Sequence, residues 1–235
     1  MDWHYCGMAD VAFNTGATSA TVETASGIVV NLKQDPNTTS HCGGTVWEAG
    51  VVLARYMERV LGRSKIKGTN CLEVGSGTGV AGICVALLGA NVCLTDQAPL
   101  LPNLRTNVAD NLRGREETAG VCTVREFNWE DDVKAAVPAY DAPYDYVLAA
   151  DCVFKETLIP LLLDNIVNLS SRRTRVFFCH EFRTQSIHDT FVAEAGRRFD
   201  VRKLPLVANK LGLACVADNM QLFRLVPRRV EEEEG

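Results

Sequence analysis

One short segment, in which an apolar stretch ends in three closely spaced glycines, constrains this chain more than any other feature. The segment 69–80 reads TNCLEVGSGTGV, so a predicted strand at 69–74 is followed by Gly75, Gly77 and Gly79. Glycine adopts positive φ and has no side chain, which lets the backbone turn sharply after a strand and approach a ligand closely. The segment therefore predicts a ligand-binding turn between a strand and a helix of an α/β fold.

The spacing of these glycines differs from two common nucleotide-binding patterns. The third glycine comes one residue too early for the dinucleotide fingerprint, and no Gly-Lys-Ser/Thr follows to make a P-loop. The pattern present is Glu-x-Gly-x-Gly-x-Gly, beginning at Glu73. Asp96 ends the next predicted strand, 91–95, and lies 21 residues after Gly75. A carboxylate at this place can accept both hydroxyls of a ribose, which predicts a ligand with a nucleoside part.

The composition is that of one α/β domain, with 235 residues, 47% hydrophobic and 23% charged. No apolar run approaches the length of about 18 residues that a membrane helix needs, and the start, MDWHYC, lacks the regions of a secretory signal. The net charge of −5 gives no overall attraction to nucleic acid. Basic clusters at 172–175 and 197–203 carry no interleaved stacking aromatics. We expect a soluble, intracellular protein without a nucleic-acid or membrane partner.

The nine cysteines are odd in number, form no C-x-x-C pair and lie partly within apolar runs, as at Cys71, Cys84, Cys93, Cys152 and Cys179. This pattern is typical of reduced core residues, which indicates the cytoplasm, and also the nucleus, as compartments. The histidines show no metal-ligand spacing, so we predict no metal site.

From residue 69 onwards the chain alternates predicted strands and helices. The strands are expected at 69–74, 91–95, 121–127, 144–150 and 174–180, and the helices near 79–88, 98–112, 155–169 and 184–196. Such alternation predicts a mostly parallel sheet with right-handed crossovers, helices on both faces, and ligands beyond the carboxyl ends of the strands.

The segment before this alternation predicts a β-hairpin and a helix. Residues 21–33 alternate in polarity around Ala25–Gly27, which indicates a hairpin, and 46–61 carry a helical apolar stripe that Gly62 closes. No long helix is expected ahead of this segment.

At the other end, 198–206 and 215–226 predict two strands joined by a loop too short for a helical crossover. They are therefore expected to pair antiparallel at the sheet edge. The expected domains are an N-terminal extension and hairpin at 1–45, the main domain at 46–227 and a disordered acidic tail at 228–235.

Six short segments occur in an order that is typical of one enzyme family. They read TVWEAG at 45–50, LEVGSGTG at 72–79, LTD at 94–96, LPNLRTN at 101–107, NW at 128–129 and ADCVF at 150–154. Together they resemble the small seven-β-strand protein lysine methyltransferases of class I, a group that modifies chaperones and translation factors. The glycine segment is shared by all class I methyltransferases, whereas the Trp47 segment and the Asp-x-x-aromatic segment are particular to this group. The resemblance implies a Rossmann-like seven-stranded sheet and S-adenosylmethionine as cofactor.

The resemblance also implies which residues line the cofactor cleft. In the resembling enzymes the indole at the position of Trp47 lines that cleft, and Trp129 offers a face on which adenine can stack. Both tryptophans can instead be core residues, and Glu73 either meets the cofactor or caps the glycine turn. The implied cofactor residues are Trp47, Glu73, Gly75, Ser76, Gly77, Gly79, Asp96, Trp129 and Ala150.

The segment Asp151-Cys-Val-Phe154 is the candidate for substrate chemistry. Many class I enzymes that methylate planar nitrogens carry two prolines here, and their absence favours an aliphatic amine. A lysine amine has a pKa of about 10.4, so roughly one molecule in a thousand is neutral at pH 7.4, a deficit of about 4 kcal/mol. A carboxylate such as Asp151 can orient the ammonium, and an aromatic face can hold it by cation–π attraction. We name Asp151 and Phe154 as the candidate catalytic residues.

Two features of this segment leave alternatives open. The resembling enzymes usually have Tyr where this chain has Phe154, which leaves the number of methyl groups undecided. Asp151 can also be a helix cap. If neither Asp151 nor Phe154 faces the acceptor, the site would lie around Glu181 and Arg183. The predicted function is a protein N-methyltransferase for a lysine of a non-histone protein, with chaperones and translation factors as candidate partners. A small-molecule amine N-methyltransferase and a cofactor-binding module without turnover are the alternatives.

Overall fold

The fold is built from nine strands and seven helices within residues 16–35, 42–131 and 144–228, which the computed structural model describes. The strands are β1 Ser19–Glu23, β2 Val29–Lys33, β3 Asn70–Val74, β4 Asn91–Asp96, β5 Cys122–Glu126, β6 Tyr146–Ala150, β7 Arg175–Glu181, β8 Phe199–Leu204 and β9 Met220–Pro227. The helices are α1 Glu48–Tyr56, α2 Arg63–Ile66, α3 Val80–Leu87, α4 Leu101–Leu112, α5 Ile159–Asn168, α6 Gln185–Arg198 and α7 Ala208–Leu211.

Seven strands form one sheet in the order β5-β4-β3-β6-β7-β9-β8. All neighbours are parallel except β9, which runs antiparallel to both β7 and β8. This confirms the predicted fold class, including the antiparallel last strand and the pairing of the two final strands. Since β9 lies between β7 and β8, β8 alone forms that edge of the sheet. The strand order reverses between β3 and β6, which is where open α/β sheets form a ligand-binding crevice.

Helices cover both faces of the sheet, because alternate strand residues are apolar on each face. In β3, Cys71 belongs to the core under α1, α3 and α4, whereas Leu72 and Val74 belong to the core under α5 and α6. Strands that are buried on both faces appear in the sequence as continuous apolar runs, which explains why β3, β4 and β6 could be predicted.

The predicted N-terminal hairpin is present as the antiparallel pair β1 and β2, which share the core with α3 and α4. The exposed edge of β2 is bound by two amide side chains of α4. Lys33 N–H donates to Asn107 Oδ1 at 2.8 Å, and Asn31 N–H donates to Asn111 Oδ1 at 2.9 Å. The first fifteen residues of the predicted extension and the acidic tail after Arg228 lie outside the described residues, and the domain boundaries stay predictions.

The structure corrects the predicted continuous helix at 46–61. Helix α1 ends at Tyr56 and continues as one π-helical turn, Met57–Leu61. Within that turn Glu58 accepts the N–H groups of Ala25 and Ser26 at 2.6 and 2.9 Å, which anchors the hairpin turn. A π turn is often a response to a local constraint, and this tertiary contact has no counterpart in the helical period of the sequence.

Smaller differences concern helix starts and lengths. The predicted helices at 98–112 and 155–169 begin with 3-10 turns, Ala98–Leu100 and Glu156–Leu158, ahead of α4 and α5. In each, a proline occupies the first turn of the α-helix, where its missing N–H costs nothing. In the part of the chain that is described, no helix has the length and apolar character needed to cross a membrane.

Candidate functional site

A cleft of about 500 Å³ opens at the carboxyl ends of β3, β4 and β6. It brings together ten of the eleven residues that the sequence singled out. These are Trp47, Glu73, Gly75, Ser76, Gly77, Asp96, Trp129, Ala150, Asp151 and Phe154. Gly79 does not line the cleft. It begins α3 with a φ of 84°, and a Cβ there would lie 2.6 Å from Leu104 Cδ1, so helix packing requires this glycine.

The glycine turn is required by its protein neighbours. Gly75 has a φ of +61°, and a Cβ there would lie 2.9 Å from Cys152 Sγ and 3.2 Å from Trp129 Cζ2. Gly77 has a φ of +55°, and a Cβ there would lie 2.8 Å from the carbonyl oxygen of Gly43. Both conformations are costly for any residue with a side chain. The turn therefore presents bare backbone to the cleft.

Hydrogen bonds from the turn to β4 and from α3 to β3 hold this turn in place. Ser76 N–H donates to Thr95 O at 2.9 Å, and Thr95 N–H donates to Ser76 Oγ at 3.0 Å. Gly82 N–H, in the first turn of α3, donates to Glu73 Oε2 at 3.0 Å. Burial raises the pKa of Glu73 to about 8, against the lowering effect of this hydrogen bond. Of the two roles considered for Glu73, the structure shows capping of the glycine turn, with the side chain also lining the cleft.

The carboxylate of Asp96 is fixed at the end of β4. Its Oδ2 accepts the N–H of Gly77 at 2.7 Å, and its Oδ1 accepts the N–H of Gln97 at 2.8 Å. A carboxylate oxygen can accept more than one hydrogen bond, so this geometry is compatible with further donors such as ribose hydroxyls. Asp96 therefore fixes the turn through its bond to Gly77 and also places a carboxylate in the cleft.

Both tryptophans are half-buried and line the cleft, so neither is a buried core residue. Trp47 Nε1–H donates to Cys42 O at 2.9 Å, and the carbonyl of Trp129 accepts Asn165 Nδ2–H at 2.7 Å. Ala150 lies opposite Gly50, where a Cβ would lie 3.9 Å from the Ala150 Cβ. Small residues on both sides thus keep this part of the cleft open.

Asp151 has a strained backbone and a buried carboxylate. Its φ of 56° is the only positive value for a non-glycine residue in the described ranges. Glu181 N–H donates to its Oδ1 at 3.3 Å, and Arg183 Nη2 donates to its Oδ2 at 3.0 Å. Burial raises the pKa of Asp151, and Arg183 opposes that shift. The alternative of a helix cap is wrong, because the turn and helix that follow begin after Lys155 and Leu158.

Three further charged residues surround Asp151. Arg183 lies 3.9 Å from Glu181, and its guanidinium carbon is 5.6 Å from the centre of the Trp47 ring. Burial raises the pKa of Glu48, and the charges of Glu181 and Asp151 raise it further. The sequence suggested Glu181 and Arg183 only as an alternative site, and Glu48 was missed, since its only signal was its position next to Trp47.

Phe154 lies at the rim of the cleft with 45% of its surface exposed. Lys155 and Leu158 line the same rim. Within the described ranges, no group of three or more His, Cys, Asp or Glu side chains is placed to hold a metal ion.

The sheet order, the glycine turn and the acidic end of β4 are those of the class I methyltransferase fold. The match to a methyltransferase family model shows the enzyme class, whose methyl donor is S-adenosylmethionine. The chain belongs to the lysine methyltransferase family, because the model of that family, described as "Lysine methyltransferase", matches residues 26–197.

Named relatives agree with this assignment. The chain is 36% identical over 160 residues to Protein N-lysine methyltransferase METTL21A of Danio rerio, covering 68% of this chain and 69% of that protein. The METTL21A protein of Xenopus tropicalis is 32% identical over 160 residues, with coverages of 68% and 70%. Among solved structures, the T. thermophilus 16S rRNA N2 G1207 methyltransferase in complex with AdoMet and guanosine aligns with a TM-score of 0.61 at 14% identity. That alignment covers 89% of this chain and 50% of the other, and it shows the shared fold.

Proposed function

We propose that this protein methylates the side-chain amine of a lysine in a non-histone protein, with Asp151 receiving the incoming ammonium. One observation carries the proposal. The buried Asp151 carboxylate opens into the same cleft as the glycine turn and already holds a cation, Arg183, at 3.0 Å. A site that binds one cation between a carboxylate and an indole face has the chemistry that an ammonium requires.

The cofactor half of the cleft fits S-adenosylmethionine. The turn leaves no room for a Cβ at Gly75 or Gly77, and a carboxylate stands at the end of β4. The residues that would hold the cofactor are Trp47, Glu73, Gly75, Ser76, Gly77, Asp96, Trp129 and Ala150. When bound, the cofactor supplies a methyl group on a positively charged sulfur.

The acceptor half would bind, orient and deprotonate the amine. The Asp151 carboxylate binds the ammonium, and the rings of Trp47 and Phe154 form apolar walls beside it. Only the neutral amine can attack, so the ammonium must lose a proton, which leaves to water at the open rim. A carboxylate that orients the nitrogen in line with the methyl group contributes through positioning.

The charge at the mouth favours a cationic acceptor over a nucleic acid. The carboxylates of Glu48, Asp151 and Glu181 stand near the cations of Arg183 and Lys155. Nucleic-acid sites need the opposite balance, because phosphate contacts supply most of the affinity. We extend the proposal to a chaperone or a translation factor as the substrate protein.

The compartment belongs to the same proposal. Five cysteines are free thiols buried in the core, namely Cys71, Cys84, Cys93, Cys152 and Cys179. Free thiols support the reducing environment of the cytoplasm or nucleus as the place of action.

The test is labelling of a cell extract with tritiated cofactor. The parent should label a protein band, whereas Asp151→Asn, which keeps the shape but loses the charge, should lower the labelling rate by about ten- to a hundredfold. Asp200→Asn is the matched control, since Asp200 also pairs with an arginine, Arg228, at 3.1 Å but is exposed on β8. Its labelling rate should equal that of the parent.

Other outcomes would replace the proposal. Label found only in small molecules would indicate a small-molecule amine methyltransferase. Measurable cofactor binding without any label would indicate a binding module without turnover.

A further inference from the structure

Arg183 occupies the place where the acceptor amine is expected. Its guanidinium carbon lies over the Trp47 ring, 5.6 Å from the ring centre. Its Nη2 contacts the Asp151 carboxylate at 3.0 Å, and its Nη1 lies 3.9 Å from Glu181. The groups that contact Arg183 are therefore the groups that would contact a lysine ammonium.

Binding a second cation beside Arg183 costs electrostatic energy. The side chain of Asp151 is only 6% exposed, so its carboxylate has few open directions. An ammonium that approached the same oxygens would meet the positive guanidinium at close range, where like charges repel. The Arg183 side chain is 34% exposed and lies at the open side of the cleft, so it has solvent to move into.

We propose that Arg183 is an internal stand-in for the substrate amine, which holds the acceptor position between Asp151 and Trp47 until a lysine ammonium displaces it. The inference rests on the proposed function. In the absence of substrate, the guanidinium spares the cleft a buried, unpaired carboxylate, which would be strongly destabilising. When the substrate binds, the displaced guanidinium of Arg183 becomes hydrated. The lysine ammonium then contacts the Asp151 carboxylate and the Trp47 indole in its place.

The choice of arginine over lysine has a chemical reason. A guanidinium is not deprotonated in proteins, and its nitrogen lone pairs are delocalised over the planar group, so it is a much poorer nucleophile toward a methyl donor than a neutral amine. A lysine at position 183 would present the same amine as the substrate. Arginine can thus hold the acceptor position without being consumed by the reaction that the position serves.

The displacement also contributes to specificity. An acceptor must compete with a group that is already in place, so its apparent affinity is reduced by the fraction of molecules whose position is open. A cation that contacts both Asp151 and the rings of Trp47 and Phe154 competes well. A neutral or anionic side chain gains nothing from the carboxylates and leaves Arg183 in place.

The first test measures binding of butylammonium, which has the four carbons and the ammonium of a lysine side chain, without cofactor. We expect Arg183→Gln to bind butylammonium about tenfold more tightly than the parent, by NMR titration at pH 8, because the competing guanidinium is gone. Arg228→Gln is the control. It removes the same charge from an exposed arginine paired with Asp200, and its affinity should equal that of the parent. Equal or weaker binding by Arg183→Gln would overturn the inference.

The second test supplies an amine in place of the guanidinium. In Arg183→Lys, incubated with S-adenosylmethionine alone, we expect mass spectrometry to find methyl groups on the introduced lysine. The neutral amine forms the new nitrogen–carbon bond, the carbon–sulfur bond breaks with its electron pair on sulfur, and the amine proton passes to water. Adding Asp151→Asn to this variant should lower the extent of methylation at least about tenfold.

The two tests separate this inference from the proposed function. If the parent labels a protein while the introduced lysine stays unmodified, Arg183 does not hold the acceptor position, and the proposed function stands. If the parent labels no protein but butylammonium binds about tenfold more tightly to Arg183→Gln, the stand-in role holds, and the proposed substrate class fails.

Discussion

The two halves of the cleft are built in different ways. In the cofactor half, backbone groups of adjacent strands make most of the contacts, as in the bond from Gly77 N–H to Asp96 and the paired bonds of Ser76 and Thr95. In the acceptor half, side chains from the start of α1 meet side chains from the carboxyl ends of β6 and β7 and the residues just after them, and ion pairs such as Asp151–Arg183 connect them. The shape of the cofactor half is therefore set by the backbone. The shape of the acceptor half depends on which charged side chains meet there.

This difference separates rigidity from adaptability. A turn whose glycines cannot carry a Cβ, and which hydrogen bonds of 2.7 and 3.0 Å tie to β4, has one available shape. Half-exposed side chains such as Arg183, by contrast, can exchange partners at little cost. The rigid cofactor half suits a ligand that is the same in every reaction. The adaptable acceptor half suits protein substrates that differ from one another.

The largest expected effect comes from filling the glycine turn. Gly77→Ala should weaken cofactor binding by about 2 kcal/mol or more, because a left-handed alanine costs roughly 1–2 kcal/mol and its Cβ would overlap the Gly43 carbonyl. Gly114→Ala is the matched control, with a φ of +74° and nothing within 4 Å of the added Cβ. It should cost stability without altering cofactor affinity. Calorimetry with S-adenosylhomocysteine distinguishes the two, and equal affinities would show that the turn tolerates a side chain.

A smaller effect should come from the buried acid behind the turn. The folded-state pKa of Glu73, about 8, lies above its ordinary value of 4.5, so the folded protein binds an extra proton between these pH values. The stability due to this group is present below pH 4.5 and is lost as the pH rises through 8. Glu73→Gln cannot ionise, and its free energy of unfolding relative to the parent should rise by on the order of 1–2 kcal/mol between pH 6.5 and 8.5.

Denaturant titrations at several pH values measure this difference. Glu117→Gln is the control, because Glu117 is exposed, and its unfolding free energy should follow that of the parent at every pH. Parallel profiles for parent and Glu73→Gln would mean that Glu73 stays ionised in the folded state.

The smallest effect is expected at the rim of the acceptor half. Phe154→Tyr adds a hydroxyl to an exposed ring and should change the labelling rate by less than about threefold, since surface changes rarely exceed 0.5 kcal/mol. It should nevertheless alter the proportions of mono-, di- and trimethylated lysine, because the hydroxyl can bond the amine. Mass spectrometry of the labelled protein measures these proportions. An unchanged distribution would place Phe154 away from the reacting nitrogen.

The same contrast explains what could be predicted from the sequence. Glu73, Gly75 and Asp96 could be predicted because strand ends and positive φ require particular residue types at short spacing. The buried strands around them also appear in the sequence as apolar runs. Glu48 and Arg183 could not be assigned in the same way, because their roles depend on where α1 and β7 bring them in space. The π turn after Tyr56 was missed for a similar reason, since a distant hairpin anchors it.

The central claim is that the two halves act separately on cofactor and acceptor, and one pair of affinities tests it most directly. By calorimetry with S-adenosylhomocysteine, Asp96→Ala should lose about 1.5–3 kcal/mol of binding free energy, because charged hydrogen bonds to the ligand vanish. Asp151→Asn should bind the same ligand within about twofold of the parent, although its labelling of protein falls by about ten- to a hundredfold. If both variants lost cofactor affinity to the same extent, or if Asp96→Ala lost none, the division of the cleft would be contradicted.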